Sequence, residues 1–190
     1  MRPAVFLDRD GTLNREVEGA LSSVAQLELL PGAAEAAARL AAAGFALVVV
    51  SNQSAVARGW CSLDDVRRVN AELRARLAAA GAPLAGVYVC PHHPEHGAPP
   101  YRRACPCRKP QAGLLRRAAR ELGLDLGRSW IVGDALRDLA AGRALGVRAL
   151  LVETGKGARE ATRLAELGPP APEVVRDLGA AAERVLAQGR

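Results

Sequence analysis

Asp8-Arg9-Asp10-Gly11-Thr12-Leu13 sets two carboxylates two positions apart, directly after the apolar run 3–7. If that run is a buried strand, the chain leaves it at Asp8, and Gly11 permits a turn that aims both carboxylates into one pocket. Open parallel sheets bind their ligands at that end of a strand. Taken alone, the same residues also read as a polar turn in which Asp10-Gly11 ends the strand.

Three further polar stations recur at comparable places. Ser51 closes the apolar stretch 45–50, Lys109 precedes Pro110 at the start of a helical pattern, and Gly133-Asp134 ends the run Trp130-Ile131-Val132. Lys109 is one of two lysines in the chain. A solvated lysine at a helix start is disfavoured, because the helix dipole is positive there. Asp138, four residues beyond Asp134, reads either as a carboxylate facing the same site or as a surface helix residue.

A second cluster is built from softer donors. Cys90-Pro91-His92 and Cys105-Pro106-Cys107 are two ligand pairs with one residue between partners, and all three histidines of the chain, His92, His93 and His96, fall in this region. Cys90, His92, Cys105 and Cys107 make a Cys₃His set for a closed tetrahedral zinc site. Buried thiols beside a surface histidine are the plainer reading, and His93 or His96 could take the place of His92. A closed site leaves no position for substrate, so the zinc is expected to be structural, shaping a loop over about 90–107. The loop runs straight into Arg108-Lys109-Pro110, so zinc would fix two cations. Cys61, remote in sequence, is expected to be structural.

These residues need a scaffold. With 49% hydrophobic residues, the 190-residue chain can bury one core and is short for two, so residues 1–190 are expected to form one domain. Strands are expected at 3–7, 45–50, 86–90, 129–132 and 147–152, and helices at 33–43, 62–80, 111–122 and 136–145. Ser62 and Asp65 offer a capping-box start for the long helix. The tail reads as helices at 158–167 and 178–188 with an edge strand at 173–175. Alternation of this kind predicts an α/β fold: one doubly wound, mostly parallel sheet with helices on both faces.

No apolar run is long enough for a membrane span, and the start of the chain lacks the pattern of a signal peptide. A cytoplasmic location is therefore expected. The formal charge of +6 is carried mainly by arginine. It reads either as solvated helix faces or as a field attracting anions. Nucleic acid is the less favoured anion, since 3% of residues are aromatic and no basic stretch is interleaved with stacking residues. The expected partner is a small anionic molecule, bound by a monomer.

Asp-x-Asp-Gly-Thr, a strand-end Ser, a Lys before a helix and a strand-end Gly-Asp resemble, in order and placement, the four motifs of the haloacid dehalogenase (HAD) superfamily over residues 5–152. The resemblance implies a phosphatase with Mg²⁺ held by the side chain of Asp8, the backbone carbonyl of Asp10 and the carboxylate of Asp134. It further implies Asp8 as nucleophile forming an aspartyl-phosphate, Asp10 as general acid and base, Ser51 as a donor to a phosphoryl oxygen, and Lys109 as the offsetting cation. That chemistry fits the residue types: a phosphate dianion repels an anionic nucleophile, so cations must neutralise both.

The zinc loop, Ser51-Asn52-Gln53-Ser54 and Ala57-Arg58-Gly59 are similar to the family of D-glycero-D-manno-heptose 1,7-bisphosphate 7-phosphatases, of which histidinol-phosphate phosphatases are relatives. The resemblance implies a capless enzyme acting at the 7-phosphate, with Asn52, Gln53, Arg58, Arg108 and Lys109 contacting substrate. Histidinol phosphate is the alternative substrate, and a catalytically inactive, zinc-ordered binding module the alternative of another class. Ala55, where the family commonly has Gly, and Ala135, where many relatives carry Lys, depart from the pattern, the first in the loop after Ser54 and the second directly after Asp134.

Overall fold

A computed structural model describes residues 1–189. Its sheet contains β1 (Arg2–Leu7), β2 (Ala46–Asn52), β3 (Leu84–Cys90), β4 (Leu124–Gly133), β5 (Arg148–Val152) and β6 (Glu173–Val175), in the order β3-β2-β1-β4-β5-β6. Every pairing is parallel, where the sequence had suggested a mostly parallel sheet. The helices are α1 (Ala33–Ala42), α2 (Leu63–Ala79), α3 (Gly113–Leu122), α4 (Leu136–Arg143), α5 (Gly157–Ala161) and α6 (Leu178–Ala187).

The central strands are apolar at successive positions because both of their faces are covered. Val5 and Leu7 of β1, with Leu47 and Val49 of β2, join a core closed by α1, α2 and α6. Ala4, Phe6, Val48 and Val50 face the opposite core, closed by α3 and α4. On α2, the Ser62 side chain accepts from the Asp65 amide at 3.0 Å, and the Asp65 carboxylate accepts from the Ser62 amide at 2.8 Å. The expected capping box therefore starts that helix.

Two expectations are corrected. β4 begins at Leu124, ahead of the expected 129, because its register on β1 breaks between Pro3 and Val5. The intervening chain bulges at exposed Gly127 and Arg128, and buried Ser129 fills the gap, its hydroxyl accepting from the Ala4 amide at 2.9 Å. Apolar periodicity cannot reveal a strand interrupted in this way. The expected helix over 158–167 divides into α5 and a 3-10 turn, Leu164–Leu167. At the division, Thr162 turns its hydroxyl back onto the Arg159 carbonyl at 2.8 Å.

The strand order reverses between β1 and β4, and the crevice beyond the carboxyl ends of such a pair is where doubly wound sheets bind ligands. Asp8 follows β1 and Asp134 follows β4. Ser51 is the penultimate residue of β2, one strand away. The segments that lead from β1 to α1 and from β2 to α2 carry turns, isolated bridges at Asp10, Asn14 and Leu29, and a short 3-10 segment, Val24–Gln26.

Candidate active site

The parallel sheet brings Asp8, Ser51 and Asp134 to one edge, and Lys109 reaches the same point from the loop before α3. All four are at most 5% exposed. Lys109 Nζ lies 2.7 Å from Asp8 Oδ1 and 2.7 Å from Asp138 Oδ1, and donates to the Val50 carbonyl at 2.6 Å. Burial works to lower its pKa, but the charges of Asp138 and Asp8 outweigh this and raise it, so the ammonium form is held. Asp138 is wholly buried, which overturns the reading of it as a surface helix carboxylate. Its second oxygen accepts from the Ala135 amide at 3.1 Å.

Gly11 has φ +83°, and a Cβ there would stand 2.2 Å from Asp134 Oδ2, so both backbone conformation and space demand glycine. The turn therefore brings the first motif against the last. Asp134 Oδ2 accepts from the Lys156 amide at 2.9 Å, while Oδ1 is buried without a hydrogen-bond partner. Burial, followed by the charge of Asp8, pushes the Asp134 carboxyl up to about 7. Carboxylate oxygens of Asp8, Asp134 and Asp138 lie within 4.8 Å of one another. Three carboxylates around one ammonium, with an orphaned oxygen among them, fit a hard divalent cation.

Asp10 is held differently. Arg9, wholly buried, donates from Nε to Asp10 Oδ1 at 3.1 Å and from Nη2 to Oδ2 at 3.0 Å. Its remaining donors reach Gln53 Oε1 and, on α2, Asn70 Oδ1, each at 3.0 Å. Asn14 donates to Asp10 at 3.0 Å, and Gln53 Nε2 donates at 2.8 Å to both Asp10 Oδ2 and Ser51 Oγ. Burial would raise the Asp10 pKa, but the charge of Arg9 and these hydrogen bonds hold it below the usual carboxylate value. Sequence reasoning passed over Arg9, since a lone arginine between two aspartates carries no sign that it is buried.

The expected substrate contacts separate. Asn52 donates to the Lys109 carbonyl and accepts from the Lys109 amide, both at 3.0 Å, and the Gln53 amide is engaged with Arg9, Asp10 and Ser51. Both therefore spend hydrogen bonds on positioning other site residues, although both also line the cleft. Arg108 lines the cleft and donates to the His92 carbonyl at 3.2 Å. Arg58 lies off the lining, its guanidinium 5.1 Å over the ring of Trp60, which does line it. Lys109 is beneath the floor. Ala55 has no positive φ, so the loop needs no glycine there. The cleft, about 210 Å³, is also lined by Glu16, Arg137 and Lys156, none of which the motifs had indicated.

Cys90, His92, Cys105 and Cys107 converge as expected. Cys90 Sγ is 3.5 Å from Cys105 Sγ and 3.3 Å from Cys107 Sγ, and His92 Nδ1 is 3.3 Å from Cys107 Sγ. A tetrahedron with Zn–S bonds of ~2.3 Å has sulfur–sulfur edges of about 3.8 Å, so the cluster has nearly the required dimensions. Burial pushes the Cys90 thiol up when no cation is beside it. His93 and His96 lie outside the cluster, their ring centroids 4.4 Å apart and their planes tilted by 38°. Cys61 is a free, half-buried thiol away from the donor set.

The HAD-hydrolase-like family profile matches residues 106–181. The D-glycero-beta-D-manno-heptose-1,7-bisphosphate 7-phosphatase of Pasteurella multocida is 39% identical, over 94% of this chain and 99% of its own. The enzyme of that name from Pseudomonas aeruginosa is 37% identical, over 97% and 98%. The crystal structure of D,D-heptose 1,7-bisphosphate phosphatase from B. bronchiseptica, complexed with magnesium and phosphate, superposes with a TM-score of 0.87 at 34% identity and full coverage of both chains. Likeness of this extent, running through both halves of the site, shows that the chain belongs to the heptose 1,7-bisphosphate phosphatase family of the HAD-like hydrolases.

Proposed function

We propose that the protein hydrolyses the 7-phosphate of D-glycero-D-manno-heptose 1,7-bisphosphate, in the β form named for its relatives, with Asp8 as nucleophile. The observation that carries this reading is the position of Asp8 between Lys109 and the Asp134 carboxylate at a small polar cleft, in a chain alike throughout its length to enzymes of that activity. The intact carboxylate, serine and lysine set argues against an inactive binding module. The names of the relatives favour the heptose over histidinol phosphate.

Asp8 attacks phosphorus through a carboxylate oxygen, forming an aspartyl-phosphate as the bond to the substrate's 7-oxygen breaks. Asp10 gives that oxygen a proton and then takes one from the water that cleaves the acyl-phosphate. The hydrogen bonds of Asp10 keep it ionised at rest, which is the form the second step uses; an incoming phosphate dianion favours the protonated form needed in the first. Ser51 donates to a phosphoryl oxygen and Lys109 offsets the charge on Asp8 and the transferring group. Asp138 keeps Lys109 charged and in place. Arg108 binds the substrate away from the reacting phosphorus, its planar fork suited to phosphate or hydroxyl groups, with Asn52, Gln53 and Arg58 shaping the surrounding wall.

Mg²⁺ would be held by Asp8, the Asp10 carbonyl and Asp134, and would supply neutralisation of the phosphoryl oxygens. Zn²⁺ would be held by Cys90, His92, Cys105 and Cys107 and would stabilise the loop that carries Arg108. We further take residues 1–190 as one domain with a zinc loop at 90–107, its last residue, Arg190, lying outside the described residues. The two cores flanking one sheet support this.

We also propose a cytoplasmic monomer, supported by four cysteines that form no disulfide and, among the described residues, by exposed large apolar side chains at the scattered Met1, Val24 and Trp60 alone. Among the described residues, no helix is long and apolar enough to cross a membrane. The test of function is phosphate release from the heptose bisphosphate and from histidinol phosphate, with and without Mg²⁺. Faster turnover of histidinol phosphate would overturn the substrate, and metal-independent release the mechanism.

A further inference from the structure

Arg137 has no part in the roles described above. It sits in the first turn of α4, lines the same cleft as Arg108, and is half-buried. Its Nε is buried and has no hydrogen-bond partner, although a guanidinium out of water ordinarily satisfies its donors. Arg108 lines the same cleft, and its guanidinium donates to the His92 carbonyl. The other cation at the rim, Lys156, is paired with Glu16. The charges of Asp138, Asp8, Asp134 and Glu160 attract Arg137, yet none of these carboxylates forms a salt bridge with it.

Two arginines converging on one cleft, one with a buried and unused donor, make a receptor for an anion with several acceptor oxygens. Asp8 and Lys109 already define where the reacting phosphorus sits. We propose that Arg137 and Arg108 together form a subsite for the second phosphate of the substrate, the one that is not hydrolysed, and that Arg137 determines preference for bisphosphates over monophosphates. The inference rests on the proposed phosphatase activity and adds a recognition residue to it.

Remote binding energy appears in the transition state, so the contact is read in kcat/KM. The experiment compares wild type, Arg137→Ala and Arg137→Lys on heptose 1,7-bisphosphate, heptose 7-phosphate, fructose 1,6-bisphosphate and an aryl phosphate. Arg137→Ala is expected to lower kcat/KM on the bisphosphate by about ten- to a hundredfold more than on the monophosphates, the effect of losing a charged hydrogen bond. Arg137→Lys keeps the charge and is expected to recover part of that difference. Equal proportional losses on every substrate would overturn the inference, placing Arg137 at the reacting phosphoryl group or in charge balance at Asp8. So would a wild-type enzyme with no preference for bisphosphates. If wild type instead prefers fructose bisphosphate while Arg137→Ala still erases the gap between bisphosphates and monophosphates, the heptose reading fails and the subsite stands.

Discussion

The side-chain amide of Asn52 closes a two-bond ring with the backbone of Lys109, donating to its carbonyl and accepting from its amide, both at 3.0 Å. The pair locks the end of β2 to the residue that emerges from the zinc loop. Lys109 thereby arrives under Asp8 with its backbone fixed from one side and its ammonium from the other.

If Asn52 works mainly by holding Lys109, Asn52→Ala should reduce kcat/KM by similar factors, about tenfold, on a bisphosphate and on an aryl phosphate. A loss confined to the bisphosphate would instead assign Asn52 to substrate recognition. Steady-state kinetics on both substrates separate the outcomes.

Arg9 is wholly buried and engages Asp10, Gln53 and Asn70. Arg9→Met leaves the Asp10 carboxylate without its charged partner, with only the Asn14 and Gln53 amides to hold it, and removing one member of a buried ion pair costs about 3–5 kcal/mol. Arg9→Lys should recover only part of this, because an ammonium cannot reproduce a planar fork that reaches three partners. Urea unfolding of the three proteins measures the difference. Full recovery by lysine would show that charge alone matters at this position.

Removing the proposed zinc should lower stability and activity together. Purified, unchelated protein is expected to hold one zinc per chain, and Cys105→Ser to hold less, with a lower Tm. The activity loss should be larger on the bisphosphate than on an aryl phosphate, because the zinc loop supplies the His92 carbonyl that receives Arg108. Elemental analysis without zinc, or a Cys105→Ser protein of unchanged Tm, would count against a structural metal.

Asp8→Asn should fold and lose at least about a thousandfold in turnover, since an amide cannot attack phosphorus as an anion. Acid quenching during turnover should trap phosphate on wild-type Asp8 and none on the variant. Turnover within about tenfold of wild type would end the covalent mechanism.

Much of the frame was legible because it depends on local pattern. Unbroken apolar runs in 3–7 and 45–50 mark strands covered on both faces, and the Ser62 and Asp65 spacing marks a helix start. Cys90, His92, Cys105 and Cys107 could be grouped because a metal's ligand types are few and their short spacings lie within one loop. Parallel strands then require Asp8, Ser51 and Asp134 to share one edge of the sheet, so the order of elements implied their convergence before any contact was known.

What the tertiary structure decided is where each polar group spends its hydrogen bonds, since partners distant along the chain leave no trace in local spacing. It engages the amides of Asn52 and Gln53 with Lys109, Asp10 and Ser51, buries Asp138 against Lys109 and packs Arg9 against Asn70 of α2. It leaves Arg137 in the cleft with a buried, unused donor. An arginine in a helix's first turn reads the same whether it faces solvent or a ligand. Only packing removes the water that would otherwise satisfy it, and that removal turns an ordinary surface charge into a candidate binding group.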